Sequence, residues 1–143
     1  ALLNHLHENG HDLQAAQVPV VIPGVFKMTQ ADLITRDRTN GNLHLWEVKT
    51  GFPVGGYTKQ GKLAGTDVDC TKYNIWQLQL HYTRRSLEAA GVDIAQSSVI
   101  QVYKDSTQKQ PVVKVHPSKE WTQNLPVIIP QRVVVVKKRK RPE

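Results

Sequence analysis

The 143-residue sequence has a single cysteine and no long apolar run. The one cysteine, Cys70, excludes an internal disulfide framework and any zinc site that needs several cysteines. No apolar stretch approaches the roughly 18–20 residues of a membrane span, and the N-terminus lacks the basic and then apolar pattern of a secretory signal. We therefore expect one domain and no membrane partner. The sequence begins with Ala1 and its only methionine is Met28, which fits a C-terminal piece of a longer protein.

Acidic residues are also few, since twelve Asp and Glu stand against nineteen Lys and Arg and leave a net charge of +7. This sign of charge favours polyanions such as nucleic acid. Five of the positive charges are contiguous near the C-terminus, so the rest of the chain carries only +2. We interpret this run as a phosphate-binding arm or a nuclear-localisation-like cluster, with a solubilising tail as the alternative. The run consists of Lys137, Lys138, Arg139, Lys140 and Arg141.

The spacing of apolar residues, glycines and prolines predicts an α/β (α+β) domain with a mixed sheet. Asn40-Gly41 separates two strand-like stretches and predicts a hairpin, while Thr71 and Gly91 are candidate ends of the clearest helix. We expect residues 1–116 to form the domain and residues 117–143 to form a C-terminal extension with the basic tail. The predicted elements are a short or broken helix in 1–16, an edge strand and turn in 18–26, strands at 31–35 and 43–50, a helix at 72–90, and strands at 98–103 and 111–116.

Three charged residues on the predicted hairpin form the pattern with the clearest chemistry. Glu47 and Lys49 are two residues apart on a strand and therefore share a face, and the hairpin brings the strand of Asp32 beside them. Two carboxylates suit Mg²⁺ or Mn²⁺, which activates water and offsets charge on a scissile phosphate. A neighbouring lysine can orient or activate the attacking water. The pattern predicts metal-assisted hydrolysis of phosphodiester bonds.

The same Glu-x-Lys alternation is also common on exposed strand faces, where it has no catalytic role. The strand at residues 43–50 is otherwise apolar, with Leu43, Leu45, Trp46 and Val48. Charges on such a strand are costly to bury without a partner or a metal. This context favours the catalytic interpretation.

Asp32 followed by Glu47-Val48-Lys49-Thr50-Gly51 resembles the D…(D/E)xK signature of the PD-(D/E)XK nuclease superfamily, especially its restriction-endonuclease-like and RecB-like branches. Ala31 stands where the namesake motif has proline. The resemblance implies a restriction-endonuclease-like αβββαβ core, in which helices flank a central mixed sheet. It also implies that Asp32 and Glu47 hold Mg²⁺ or Mn²⁺, with the Val48 carbonyl as a third oxygen, and that Lys49 activates water.

Two further site residues are implied by this resemblance. Residues 72–82 resemble the Q-L-x-x-Y helix of the RecB-like branch, in which Gln77 would face the active site and help to place the lysine or the substrate. This sequence has His81 where that motif has tyrosine, and Tyr82 follows it. Many superfamily members take another metal ligand from the first helix, and Glu8 is the candidate here.

Other basic residues are candidate contacts for nucleic acid. The glycine-rich loop at 51–71 lacks a phosphate-loop motif, and we interpret it as a flap whose Lys59 and Lys62 touch the nucleic-acid backbone, with a plain surface loop as the alternative. Arg84 lies on the helical stripe of Gln77, where nucleic-acid contact and a solvated helix face are both open interpretations. No base-reading motif is visible, so we expect contact with phosphates.

These observations predict a divalent-metal-dependent nuclease that acts on DNA rather than RNA, by analogy with repair, recombination and restriction enzymes. Two alternatives are a non-catalytic nucleic-acid-binding module on the same fold and the nuclease toxin domain of a larger secreted protein. We expect an intracellular location where DNA is found, either the cytoplasm of a prokaryote or virus-infected cell, or the nucleus through the basic tail. The sequence does not distinguish an exonuclease from an endonuclease, and it does not define the oligomeric state.

Overall fold

The computed structural model describes residues 2–21, 28–51, 61–62, 67–69, 71–104, 111–121 and 125. Two helices and five strands follow the predicted order α-β-β-β-α-β-β, which confirms an α/β domain with a mixed sheet. The elements are α1 (Leu2–Glu8), β1 (His11–Val21), β2 (Met28–Asp37), β3 (Leu43–Thr50), α2 (Lys72–Ala89), β4 (Ile94–Tyr103) and β5 (Val112–Pro117). Neither helix in this part of the chain has the length and apolar character needed to cross a membrane.

The five strands lie in the sheet in their chain order, β1-β2-β3-β4-β5. Neighbouring strands are antiparallel except β3 and β4, which are parallel. A parallel pair needs a crossover connection, and α2 lies in the chain between these two strands. The helix therefore covers one face of the sheet.

Local sequence signals set the hairpin and the ends of α2 as predicted. The Asp37 N–H donates to the Asn42 carbonyl at 2.9 Å, and Gly41 takes a positive φ of 76° that glycine tolerates. At the start of α2, the Thr71 side chain accepts a hydrogen bond from the Asn74 N–H at 3.1 Å. Strand β3 has the bounds that the sequence predicts.

The N-terminal region differs from its prediction. The helix expected within residues 1–16 ends at Glu8, and strand β1 begins at His11 and pairs along its length with β2. Gly10, with a φ of 91°, ends the helix. Pairing with β2 then outweighs the weak helical preference of residues 11–16, because strand formation depends on neighbours that a local pattern does not contain. Of the predicted strand and turn at 18–26, residues 22–26 lie outside the described part.

Two apolar clusters, one on each face of the sheet, position the site. Trp76 and Leu80 of α2 pack with Leu45 on one face, whereas Leu6 of α1 packs with Trp46 on the other. Side chains alternate along a strand, so Glu47 and Lys49 share the face of Leu45 and lie on the α2 side. Asp32 is close enough to Glu47 for its charge to raise the pKa of the Glu47 carboxyl. The three charged residues therefore lie close together, with Glu47 and Lys49 on the side covered by α2.

Candidate active site

Asp32 lies where β2 and β3 stop pairing. The paired residues of the two strands extend from Arg36–Leu43 to Leu33–Trp46, and Asp32 is the next residue of β2 beyond the last pair. Its side chain takes over the contact with β3, because its Oδ2 accepts a hydrogen bond from the Val48 N–H at 2.8 Å. The carboxylate is half-buried and fixed to the strand that carries Glu47.

Glu47 is buried, with only 8% of its surface exposed. Its Oε2 lies 3.6 Å from the Lys49 Nζ, while its Oε1 is buried and has no hydrogen-bond partner among the residues that the structure describes. Burial and, to a smaller extent, the nearby charge of Asp32 raise the pKa of the Glu47 carboxyl, Lys49 lowers it, and the net result is a pKa of about 7. The Glu47 carboxylate therefore has a cation beside Oε2 and, among the described residues, no donor or cation at Oε1.

Lys49 is held from two sides. Besides Glu47, its Nζ donates a hydrogen bond to the Gln79 Oε1 of α2 at 2.8 Å. Its side chain keeps 22% of its surface exposed, so the ammonium group is accessible from solvent. Gln79 is not among the site residues that the sequence predicts, because no motif or spacing singles it out on the helix.

A second glutamine, Gln101 of β4, lies beside Lys49 in the parallel register. It is fully buried, and its Oε1 forms a hydrogen bond with the His116 Nε2 at 3.0 Å. Both partners lie on the α2 side, because Gln101 pairs with Lys49 and His116 pairs with Val99. The only signal in the sequence is a polar residue inside the apolar stretch of β4, between Ile100 and Val102.

The donor set fits a hard divalent cation. In a strand, the N–H and C=O of one residue point toward the same neighbouring strand. Because the Val48 N–H points to Asp32, the Val48 carbonyl also points toward the end of β2. Asp32, Glu47 and this carbonyl are oxygen donors of the kind that Mg²⁺ and Mn²⁺ prefer, with water and phosphate oxygens completing the shell. Within the described residues, no group of three or more His, Cys, Asp or Glu side chains is placed to hold a metal.

Glu8, the ligand predicted from the first helix, lies on a helix that packs against the opposite face of the sheet from Glu47. Helix α1 packs through Leu6 against Leu33 and Trp46, on the face of the sheet opposite to Glu47. Glu8 is exposed at the end of that helix. The sheet therefore separates Glu8 from Glu47.

Gln77 also has a different environment from the one that the resemblance implied. It is 1% exposed, and its amide group bonds to the Tyr73 hydroxyl, the Pro117 carbonyl and the Lys119 N–H at 2.9–3.1 Å. The hydrogen bond to Lys49 comes instead from Gln79. Residues two apart on a helix point about 200° away from each other, so the two glutamines serve different sides of α2.

The candidate nucleic-acid contacts are mostly engaged or outside the described residues. Lys62 is exposed and donates to Asp69 at 2.8 Å. Arg84 donates to the Glu88 carboxylate at 3.0 Å, to the Ser97 hydroxyl and to the Ile94 carbonyl. These internal bonds make Arg84 a structural residue rather than a free phosphate ligand. Lys59 and the basic run at 137–141 lie outside the described part of the chain.

No protein-family model matches the chain, and no curated protein matches it either. The geometry and charge of the site are therefore the basis for its function.

Proposed function

We propose that the protein is a divalent-metal-dependent nuclease that hydrolyses phosphodiester bonds, in DNA rather than RNA. One observation carries the proposal: the buried Glu47 carboxylate, with Oε1 unpartnered, beside Asp32 and 3.6 Å from Lys49. Burying an ionised carboxylate without a partner is strongly unfavourable, so such a group is retained where a cation completes it. A purely structural role does not require a second carboxylate beside it.

Each residue of the site has a defined task in this proposal. Asp32, Glu47 and the Val48 carbonyl would hold Mg²⁺ or Mn²⁺, which supplies positive charge at the phosphate and lowers the pKa of water when bound. Lys49 carries its own positive charge and would orient the attacking water and neutralise charge on the phosphate. The hydrogen bond from Lys49 to Gln79 fixes the ammonium group before the substrate arrives.

The element order supports the resemblance to PD-(D/E)XK nucleases. The element order α-β-β-β-α-β and the mixed sheet are consistent with the core that the resemblance implied. The choice of DNA comes from analogy with that superfamily. We propose that the enzyme acts where DNA is found, inside the cell.

The test is incubation of the purified chain with linear and circular plasmid in Mg²⁺, Mn²⁺ or EDTA. We expect cleavage with either metal and none in EDTA, and we expect Glu47→Gln to abolish cleavage and to weaken Mn²⁺ binding in calorimetry. Glu8→Gln is the matched control, because it removes one exposed carboxylate on the other side of the sheet. Loss of the linear form alone would indicate an exonuclease, and nicking of the circle an endonuclease. Metal-independent cleavage, or full activity of Glu47→Gln, would contradict the proposal.

A further inference from the structure

A second concave surface lies on the side of α2 away from Lys49. It is a cleft of about 660 Å³ between α2 and the segment that follows β5. The helical side contributes residues from 77 to 89, which corresponds to a length of roughly 18 Å at 1.5 Å per residue. We call it the α2 cleft, and the lining residues that matter for its chemistry are Gln77, His81, Arg84, Arg85, Lys119 and Trp121.

Gln77 holds the two walls of the α2 cleft together. From α2, its Nε2 donates to the Pro117 carbonyl at 3.1 Å and its Oε1 accepts from the Lys119 N–H at 2.9 Å. Because the glutamine is buried, these bonds fix the segment at residues 117–119 against the helix. The cleft is therefore preformed, which lowers the entropic cost of binding a ligand.

Two cations in the α2 cleft lack a carboxylate partner within the described part of the chain. Arg85 is exposed, and Lys119 bonds through its Nζ only to the Asn74 side chain, at 3.3 Å. Arg84 and Glu88 neutralise each other, which leaves Glu120 as the remaining acidic residue of the lining. Burial lowers the pKa of His81, and the charges of Arg85 and Arg84 lower it further against the opposing effect of Glu88. The cleft thus has an excess of positive charge.

The α2 cleft also contains an accessible aromatic ring. Trp121 is partly exposed, whereas Trp46 and Trp76 are each only 4% exposed in the two cores. The Lys119 Nζ lies 4.5 Å from the centroid of the Trp121 ring. A tryptophan beside unpaired cations is the combination that binds single-stranded nucleic acid, because bases stack on the ring and phosphates meet the cations.

We propose that the α2 cleft binds a single strand of nucleic acid, with Arg85 and Lys119 on phosphates and Trp121 against a base. The choice of nucleic acid over another polyanion depends on the proposed nuclease function. The cleft and the candidate active site lie on different sides of α2, since the helix presents Gln79 to Lys49 on one side and Gln77 to the cleft on the other.

The test is titration of the full chain with a fluorescein-labelled oligothymidylate in EDTA, where no cleavage is expected. Arg85→Gln should raise the Kd roughly 5- to 10-fold at about 0.1 M salt and reduce the salt slope by about one, since one phosphate contact is lost. Trp121→Ala should raise the Kd at least about fivefold through lost stacking. Quenching of tryptophan emission by the unlabelled oligonucleotide should disappear in Trp121→Phe, because the other two tryptophans are buried.

Arg36→Gln is the matched control, because it removes an exposed arginine at the β2–β3 hairpin, outside the lining of the cleft. Equal weakening by Arg36→Gln and Arg85→Gln would mean diffuse attraction and would overturn the proposal. Displacement of the oligonucleotide by poly-glutamate at equal concentration would also overturn it, because the cleft would then accept any polyanion. For a site that binds a strand, we expect a mononucleotide to compete with the oligonucleotide only at a far higher concentration.

The plasmid assay separates this proposal from the proposed function. Oligonucleotide binding that depends on Arg85, in a chain that cleaves nothing with Mg²⁺ or Mn²⁺, would support the α2 cleft and contradict the nuclease. Metal-dependent cleavage with an unchanged oligonucleotide Kd in Arg85→Gln and Trp121→Ala would support the nuclease and contradict the cleft.

Discussion

The two faces of β3 both carry buried polar residues, but these residues differ in whether their polar atoms have hydrogen-bond partners. On the α1 side, the Trp46 Nε1 donates to the Thr35 hydroxyl at 2.8 Å, and the His44 Nε2 bonds with the Ser98 hydroxyl at 3.1 Å. The His44 and Trp46 rings stack with their centroids 4.0 Å apart. On the α2 side, the Glu47 Oε1 has no partner. One strand thus carries a satisfied cluster and an unsatisfied carboxylate on adjacent residues.

This difference separates a structural role from a binding role. Burial lowers the pKa of His44 to about 4, so the imidazole stays neutral at neutral pH, with Ser98 as its partner. Burial raises the pKa of Glu47 to about 7, and its Oε1 stays unpartnered. A buried polar group that is hydrogen-bonded contributes to folding, whereas one without a partner costs free energy until a ligand completes it.

The largest expected effect is the loss of cleavage in Lys49→Ala. Removal of a group that orients water and neutralises charge should lower the cleavage rate by about 10²- to 10⁴-fold. The rate should fall far more than the stability, which also decreases above pH 7 because Lys49 is the cation beside the buried Glu47 carboxylate. Plasmid cleavage per folded molecule and thermal unfolding measure the two effects, with Lys104→Ala, an exposed lysine directly after β4, as the control.

His44→Ala should show the reverse pattern on the other face of β3. Loss of the ring stack and of the bond to Ser98 should lower the free energy of unfolding by about 2 kcal/mol, measured in urea. The cleavage rate per folded molecule should stay unchanged. A rate loss in His44→Ala comparable to that in Lys49→Ala would remove the contrast between the two faces.

The next effect is a pH dependence of stability that Glu47→Gln removes. The Glu47 pKa rises from 4.5 in the unfolded chain to about 7 in the folded chain, so its contribution to stability is complete below pH 4.5 and is lost as the pH rises toward 7. The total loss is about 3 kcal/mol. His44 has the opposite slope, because its pKa falls from 6.5 to about 4 and its contribution is lost as the pH falls from 6.5 toward 4.

The two slopes oppose each other between pH 4.5 and 6.5, so the comparison with the variant is the informative measurement. Urea unfolding in EDTA at pH 4.5 and pH 8 should show that Glu47→Gln becomes more stable relative to the parent chain at the higher pH. Added Mn²⁺ should reduce this advantage at pH 8, since the cation completes the parent carboxylate. An advantage that does not grow with pH would show that Glu47 titrates normally.

The smallest expected effect belongs to Gln79→Ala. Gln79 is exposed and touches Lys49 through one hydrogen bond, so its loss should lower kcat by about 2- to 10-fold and leave KM nearly unchanged. Gln96→Ala, at the exposed start of β4, is the control. A fall in the melting temperature with unchanged kcat would make Gln79 a structural residue.

Local signals in the sequence correctly predicted the hairpin turn and the start of α2, which depend on contacts within a few residues. Asn40-Gly41 encodes the turn and Thr71 encodes the start of α2, because each acts within a few residues of the backbone that it shapes. The short helix predicted within residues 1–16 is found at Leu2–Glu8, whereas the start of β1 at His11 was not predicted, since the strand state of residues 11–16 depends on β2. Gln79 was missed for a related reason, because the rotation of α2 over the sheet depends on packing.

The sequence by itself determined that Glu47 and Lys49 share one face of a strand, because side chains alternate with a period of two. It also determined that a hairpin brings Asp32 to that strand. Only the tertiary structure decided that this face lies under α2, that Glu47 is buried there with one oxygen unpartnered, and that Glu8 lies across the sheet. Periodicity is a property of the local backbone, whereas burial depends on which distant elements pack together.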